Sequence, residues 1–189
     1  MTRTDPAYFE RLYRSSEDPW RLATRAYERR KFAITVASLL EERYRSAFEP
    51  GCSVGALSEQ LASRCDRLLV MDHMAAARDA ARRRLRYLPH VRVTAGVVPE
   101  DWPAGTFDLL VLSELGYSFD AGELRRLADR AVSSLSPGAT VIAVHWRGET
   151  DYPLSAAETH AVLGDTSTWR PAVHHVDQEF VLDVWRHRP

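Results

Sequence analysis

The sequence predicts an α/β fold: a doubly wound, mostly parallel sheet with a C-terminal antiparallel hairpin and a helical N-terminal segment. Three observations predict it. Five short apolar runs alternate with helix-length segments, the signature of right-handed crossovers in a parallel sheet covered on both faces. The last two strand-like runs, "RPAVHHVD" and "EFVLDVWRH", are joined only by Asp177-Gln178-Glu179, too short for a crossover. The first 43 residues carry helical rather than alternating apolar spacing.

Thr4-Asp5-Pro6 offers a cap followed by proline at an early helical position, and Tyr8, Phe9, Leu12 and Tyr13 then share a face. Pro19 disfavours a helical Asp18 and breaks this helix. A second helix is expected from about Leu22 to Glu42, burying Phe32, Val36 and Leu39. "YRSAFEP" reads as the first strand, followed by a helix containing Leu57 and Leu61. "RLLVMD" is the second strand and "MAAARDAARRRLRYL" its helix; "VRVTAG" and "FDLLVLSE" are the third and fourth strands. "GELRRLADRAVSSL" is helical, Ser136-Pro137-Gly138 is expected to turn, and "TVIAVHW" is the fifth strand. A short helix over Ser155 to Leu163 leads to the hairpin. In such sheets ligands bind beyond the carboxyl ends of the strands, where strand order reverses.

With 189 residues the chain is expected to form a single domain, with residues 1–43 as an appended helical segment and 44–189 as the core. A net charge of −1 gives no global field toward nucleic acid or an anionic membrane, so neither is expected as a partner. No apolar run reaches signal-peptide or membrane-span length, which points to a cytoplasmic protein. Monomer or weak homodimer is the expected state. Lysine occurs once, at Lys31, against abundant arginine, a bias consistent with codon usage or with local basic patches. Cys52 and Cys65, 13 residues apart and without CxxC spacing, read as two thiols, with a single disulfide as the alternative.

Gly51-Cys52-Ser53-Val54-Gly55 admits two frames. As G-x-S-x-G it is a nucleophile elbow, but an esterase needs several strands before that motif, whereas here it follows the first strand after a helical stretch and no HGGG-type oxyanion loop accompanies it. As Glu49-x-Gly51-x-Ser53-x-Gly55 it is a cofactor loop after the first strand, where backbone N–H groups meet a ligand at a helix start. Asp72 stands 21 residues after Gly51 at the end of the second strand, placed to accept hydrogen bonds from a ribose. The dinucleotide pattern G-x-G-x-x-G fails at two of its three glycines; the pattern (D/E)-x-G-x-G-x-G fails only at Ser53. Histidines lack metal-ligand spacing, and His174-His175 reads as two faces of a strand, so no metal is expected.

The stretches "YFERLY", "DPWRLATRAYERRKF", "FEPGCSVGALSEQLASRCDRLL", "WPAGTFDLLVLSELGY" and "HWRGETDYPLSAAETHAVL" resemble the NodS family of class I S-adenosylmethionine-dependent methyltransferases. The resemblance implies the Rossmann-like fold of that class, S-adenosyl-L-methionine as cofactor and S-adenosyl-L-homocysteine as product. It implies N-methylation of a small-molecule amine, an amino sugar, chitooligosaccharide-like or natural-product acceptor, with an N-terminal helical lid. On that reading Glu49, Gly51, Ser53 and Gly55 face the methionine half, Asp72 the ribose, and Val97 the adenine. Ser113 and Leu115 join the cofactor site, and Trp20, Arg21, Tyr27 and Arg30 close it, an arginine pairing the cofactor carboxylate. Glu114 is the first candidate for holding or deprotonating the acceptor and His145 the second. Tyr8, Tyr13, Tyr117 and His160 are the acceptor-side candidates. The competing readings are an O-methyltransferase of the same fold and a non-catalytic cofactor-binding module.

Overall fold

The computed structural model describes residues 3–189. Two helices, α1 (Pro6–Ser15) and α2 (Ala26–Ala37), precede β1 (Ala47–Pro50), α3 (Ala56–Ala62), β2 (Leu68–Asp72), α4 (Ala75–Arg84) and β3 (Val91–Ala95). β4 (Phe107–Ser113), a 3-10 turn (Gly116–Ser118), α5 (Ala121–Ser134), β5 (Leu135–Trp146), α6 (Ala156–Gly164), β6 (Trp169–Val176) and β7 (Phe180–His187) complete the chain. The seven strands form one sheet in the order β3-β2-β1-β4-β5-β7-β6. β1 to β5 pair in parallel, and β7 inserts antiparallel between β5 and β6. The order reverses between β1 and β4, so the crevice for a ligand opens at the ends of those two strands.

Alternation along β4 shows how the sheet is covered on both sides. Leu109 and Val111 point into one core with Leu57, Leu61, Ala77 and Ala81; Leu110 and Leu112 point into the other with Leu124, Leu127 and Ala131. Asp5 caps α1 by accepting from the Ala7 N–H, with Pro6 at the first helical position.

Three expectations change. α2 covers Ala26–Ala37 and not Leu22 to Glu42. At its start the Asp18 carboxylate caps the N–H groups of Leu22 and Ala23 in a separate turn, with Arg21 at φ +58. At its end Arg64 takes the Val36 carbonyl, which a longer helix would need, together with those of Glu41 and Glu42. The first strand is shorter than "YRSAFEP", with Tyr44 reduced to an isolated bridge to Cys65. Ser136-Pro137-Gly138 lies inside β5 as an outward bulge, since Phe107 pairs with Leu135 but Leu109 with Thr140. Gly138, at φ +80, supplies the left-handed residue the bulge requires.

Candidate active site

A cavity of about 920 Å³ lies at the carboxyl ends of β1, β2 and β4, roofed by α1, the turn after it and α2. That volume suits a ligand of cofactor size together with a small partner.

Its floor is the loop after β1. Gly51 sits at φ +76, and a Cβ there would stand 3.1 Å from Leu115 Cδ1. Ser53 also adopts a left-handed conformation, φ +50, unusual for a residue with a side chain. Two bonds hold it there: its N–H donates to Asp72 Oδ2 at 2.9 Å, and its hydroxyl meets the Tyr13 hydroxyl at 2.6 Å. Asp72 Oδ1 accepts the Met74 N–H at 2.8 Å, so the β2 carboxylate orders the loop while still lining the cavity. Burial raises the Asp72 carboxyl and lowers the adjacent His73 ring, each toward its neutral form.

Glu49 is 2% exposed, and its one side-chain partner is the Ser58 hydroxyl at 2.6 Å. Burial pushes its carboxyl up to about 7, with Asp72 adding like-charge repulsion. A buried carboxylate beside another carboxylate, facing a cavity, suits a cationic ligand group.

The opposite wall is built on Glu114, the residue after β4, at φ +53. Its Oε1 accepts from the Lys31 ammonium at 2.6 Å; its Oε2 accepts from the Tyr117 hydroxyl and from the Trp146 N–H. Lys31 is 1% exposed and also pairs with Glu28 at 2.8 Å. Burial alone would lower the Lys31 ammonium, yet Glu114 and Glu28 hold it above its ordinary value. Burial also raises the Glu28 carboxyl, against the pull of Lys31. Around these charges stand aromatic faces: Tyr117 stacks on Tyr152 at 4.7 Å, and Tyr8 meets Tyr152 edge-on at 6.0 Å. Carboxylates outnumber cations along the lining by seven to three.

The cavity therefore gathers most of the residues singled out in the sequence. Tyr8, Tyr13, Trp20, Tyr27, Glu49, Gly51, Ser53, Asp72, Val97, Ser113, Glu114, Leu115 and Tyr117 all line it. Five candidates do not. Gly55 turns at φ +75 into α3 and packs on Ala81. Arg21 is exposed, and Arg30 is held away by its salt bridge to Asp177. The cavity arginines are Arg3 and Arg25 instead. His145 is fully buried behind the wall, its Nε2 occupied by the Gly116 N–H at 2.9 Å, so it has no free lone pair there for a substrate proton. His160 stands behind it, bonded to His145 and Asp183. His174 is largely exposed and His175 less so; among the described residues no cluster of His, Cys, Asp or Glu could hold a metal ion. Cys52 and Cys65 are buried free thiols.

Sequence reasoning missed Glu28, Lys31 and Tyr152. Only Lys31 carried a signal, as the sole lysine among 25 basic residues. Its compact ammonium reaches both carboxylates at once, 2.6 Å from Glu114 and 2.8 Å from Glu28.

The family model described as Nodulation protein S (NodS) matches residues 9–152, which run from α1 through the loop that carries Tyr152. The chain belongs to the NodS family. Nodulation protein S of Rhizobium tropici is 34% identical over 130 residues, covering 68% of this chain and 55% of that protein. Its Bradyrhizobium diazoefficiens counterpart is 35% identical over 128 residues, 67% of this chain and 61% of that one. The chain thus spans little more than half the length of these relatives. The crystal structure of N-methyltransferase NodS from Bradyrhizobium japonicum WM9, in complex with S-adenosyl-L-homocysteine, matches with a TM-score of 0.82 at 25% identity, over 97% of this chain and 98% of that one. A crystal structure from Pseudomonas syringae shares 47% identity at a TM-score of 0.77, over 86% of this chain and all of that one. The fold is the Rossmann-like fold of NodS-family methyltransferases.

Proposed function

We propose that this chain is an S-adenosylmethionine-dependent N-methyltransferase acting on a small-molecule amine. The observation that carries the reading is the buried pair Glu49 and Asp72 across the glycine loop, at the point where strand order reverses. S-adenosylmethionine, when bound, would supply the methyl group on a cationic sulfur that departs as a neutral thioether. Glu49, a buried carboxylate without a cation beside it, fits the ammonium of the cofactor's amino acid. Asp72 has lone pairs left for ribose hydroxyls after serving Ser53 and Met74. Gly51 keeps the floor low enough for close approach, and Val97 lies where an adenine edge would run.

The cavity favours a cation over a neutral alcohol, because acidic groups exceed basic ones along its whole lining and aromatic faces flank the Glu114 wall. An ammonium must lose its proton before its nitrogen can attack. Glu114 serves three donors already, so its role is to hold and orient the acceptor N–H. Glu28, whose affinity for a proton is raised by burial, is the group assigned to receive that proton. Alignment of the amine in the cavity then contributes effective molarities of about 10^5 M or more. The amine we propose is an amino sugar, the acceptor that the sequence resemblance implies.

The deciding experiment pairs calorimetry with S-adenosylhomocysteine and methyl transfer to an amine panel containing chitooligosaccharides with a free or an acetylated terminal nitrogen. Binding that vanishes in Asp72→Ala, with turnover only on free amines, is expected. No binding by the native protein, or turnover on alcohols alone, sinks the proposal.

A further inference from the structure

Behind the Glu114 wall, side chains from three elements form one unbroken line of hydrogen bonds. The Gly116 N–H donates to His145 Nε2 at 2.9 Å. A ring nitrogen that accepts a hydrogen bond carries no proton, so neutral His145 bears its proton on Nδ1. That Nδ1 lies 3.0 Å from His160 Nε2, which must therefore accept in turn. The His160 proton is then on Nδ1, 2.5 Å from Asp183 Oδ2. The other Asp183 oxygen accepts from Nδ1 of His174, on the edge strand β6. One backbone amide and one carboxylate at the two ends thus fix the direction of every link between them.

The anchored backbone is the segment that carries the site. Gly116 lies between Glu114 and Leu115 on one side and Tyr117 on the other, and all three line the cavity. A Cβ at Gly116 would stand 2.5 Å from Thr159 Cγ2 and 3.0 Å from His145 Nε2, so this backbone is pressed directly onto the relay. The Tyr117 ring packs edge-on against His145 at 5.1 Å.

We propose that His160 and Asp183 are positioning residues: they lock His145 as the acceptor of the Gly116 N–H and so hold Glu114, Leu115 and Tyr117 in place. Only the catalytic consequence rests on the function proposed above; the lock itself does not. The groups facing it are Lys31 from α2, Glu114 and Tyr117 from the loop after β4, His160 from α6, Asp183 from β7 and His174 from β6. A proton added to His145 would put an N–H at Nε2 against the Gly116 N–H, two donors facing one another. Burial, His160 and Lys31 all resist that proton. Asp183, though half-buried, is kept ionised by the bonds it accepts from His160 and His174.

Long-range proton–nitrogen correlation spectra of protein labelled with 15N-histidine test the lock directly. At pH 7.5 both His145 and His160 are expected as neutral Nδ1–H tautomers, with His145 still neutral at pH 5. An Nε2–H or doubly protonated ring at either position at pH 7.5 overturns the proposal. Hydrogen exchange at the Gly116 amide gives the second readout. His145→Gln, whose side-chain oxygen reaches the Nε2 position, should keep that amide protected; His145→Leu should speed its exchange at least tenfold. Asp183→Leu, a less buried change, should release the His160 tautomer and speed Gly116 exchange. Equal protection in the Gln and Leu variants, or an Asp183→Leu protein with unchanged tautomers and protection, also overturns it. Failure of the native protein to bind S-adenosylhomocysteine would sink the proposed function and leave these spectra as expected.

Discussion

Glu49 carries opposed demands, since burial without a cation costs the folded chain while the same charge serves a cationic ligand. Above pH 7 the wild-type carboxylate is ionised at 2% exposure, so Glu49→Gln should stabilise the ligand-free protein at pH 8 by on the order of 1–3 kcal/mol in urea titrations. The same variant should lose at least tenfold in S-adenosylhomocysteine affinity by calorimetry. At Ser53 the left-handed backbone costs about 1 kcal/mol, which glycine would recover while losing the Tyr13 contact. Ser53→Gly should therefore unfold within about 1 kcal/mol of the wild type and still bind cofactor. Gly51→Val sets a branched side chain at φ +76 against Leu115, and a loss of about 2 kcal/mol with abolished binding is expected. The sequence placed Ser53 in a cofactor loop, but its backbone conformation and its Tyr13 partner became visible only when α1 folded over the loop.

At the scale of elements, one ammonium ties α2 to the far wall of the cavity. Lys31 on α2 reaches Glu114 beyond β4, and removing it leaves two buried or half-buried carboxylates uncompensated. Lys31→Met should cost about 3–5 kcal/mol in denaturant unfolding, and adding Glu28→Gln should recover part of it. α5 offers a control away from the cavity. Its capping box joins Asp120 and Glu123, and Asp120→Ala should cost about 1 kcal/mol without changing ligand affinity. Element types were legible because apolar periodicity switches cleanly between strands and helices. Element ends were not, because side chains outside the element set them: Arg64 from beyond α3 ends α2, and Asp18 caps the turn before it.

For the whole molecule, stability against pH sums groups that pull in opposite directions. His73, His145 and His187 are held below their ordinary values, chiefly by burial. Below about pH 6.5 the unfolded chain takes up protons that the folded rings refuse, so these groups make stability fall on acidification. Glu49 acts oppositely: raised to about 7, it favours the folded state below its unfolded value, and that contribution is lost as pH rises through 7. Between pH 7 and 5 the two partly cancel. Glu49→Gln should unmask the histidine slope, so its unfolding midpoint should drop more steeply from pH 7 to pH 5 than that of the wild type. An unchanged slope would contradict the burial argument.

The sequence by itself determined the parallel sheet, the terminal hairpin, the glycine loop after the first strand and the acid Asp72 that closes the second. All are short-range patterns: alternation, crossover length, a glycine spacing, an acid at a strand end. Tertiary structure alone decided how charges pair across the cavity. It drew Lys31 to Glu114 across 83 positions of sequence and turned Arg30 out to Asp177. It sealed His145 behind the wall with its Nε2 taken by Gly116. Such choices depend on which groups lose water together, and no local spacing along a chain encodes that.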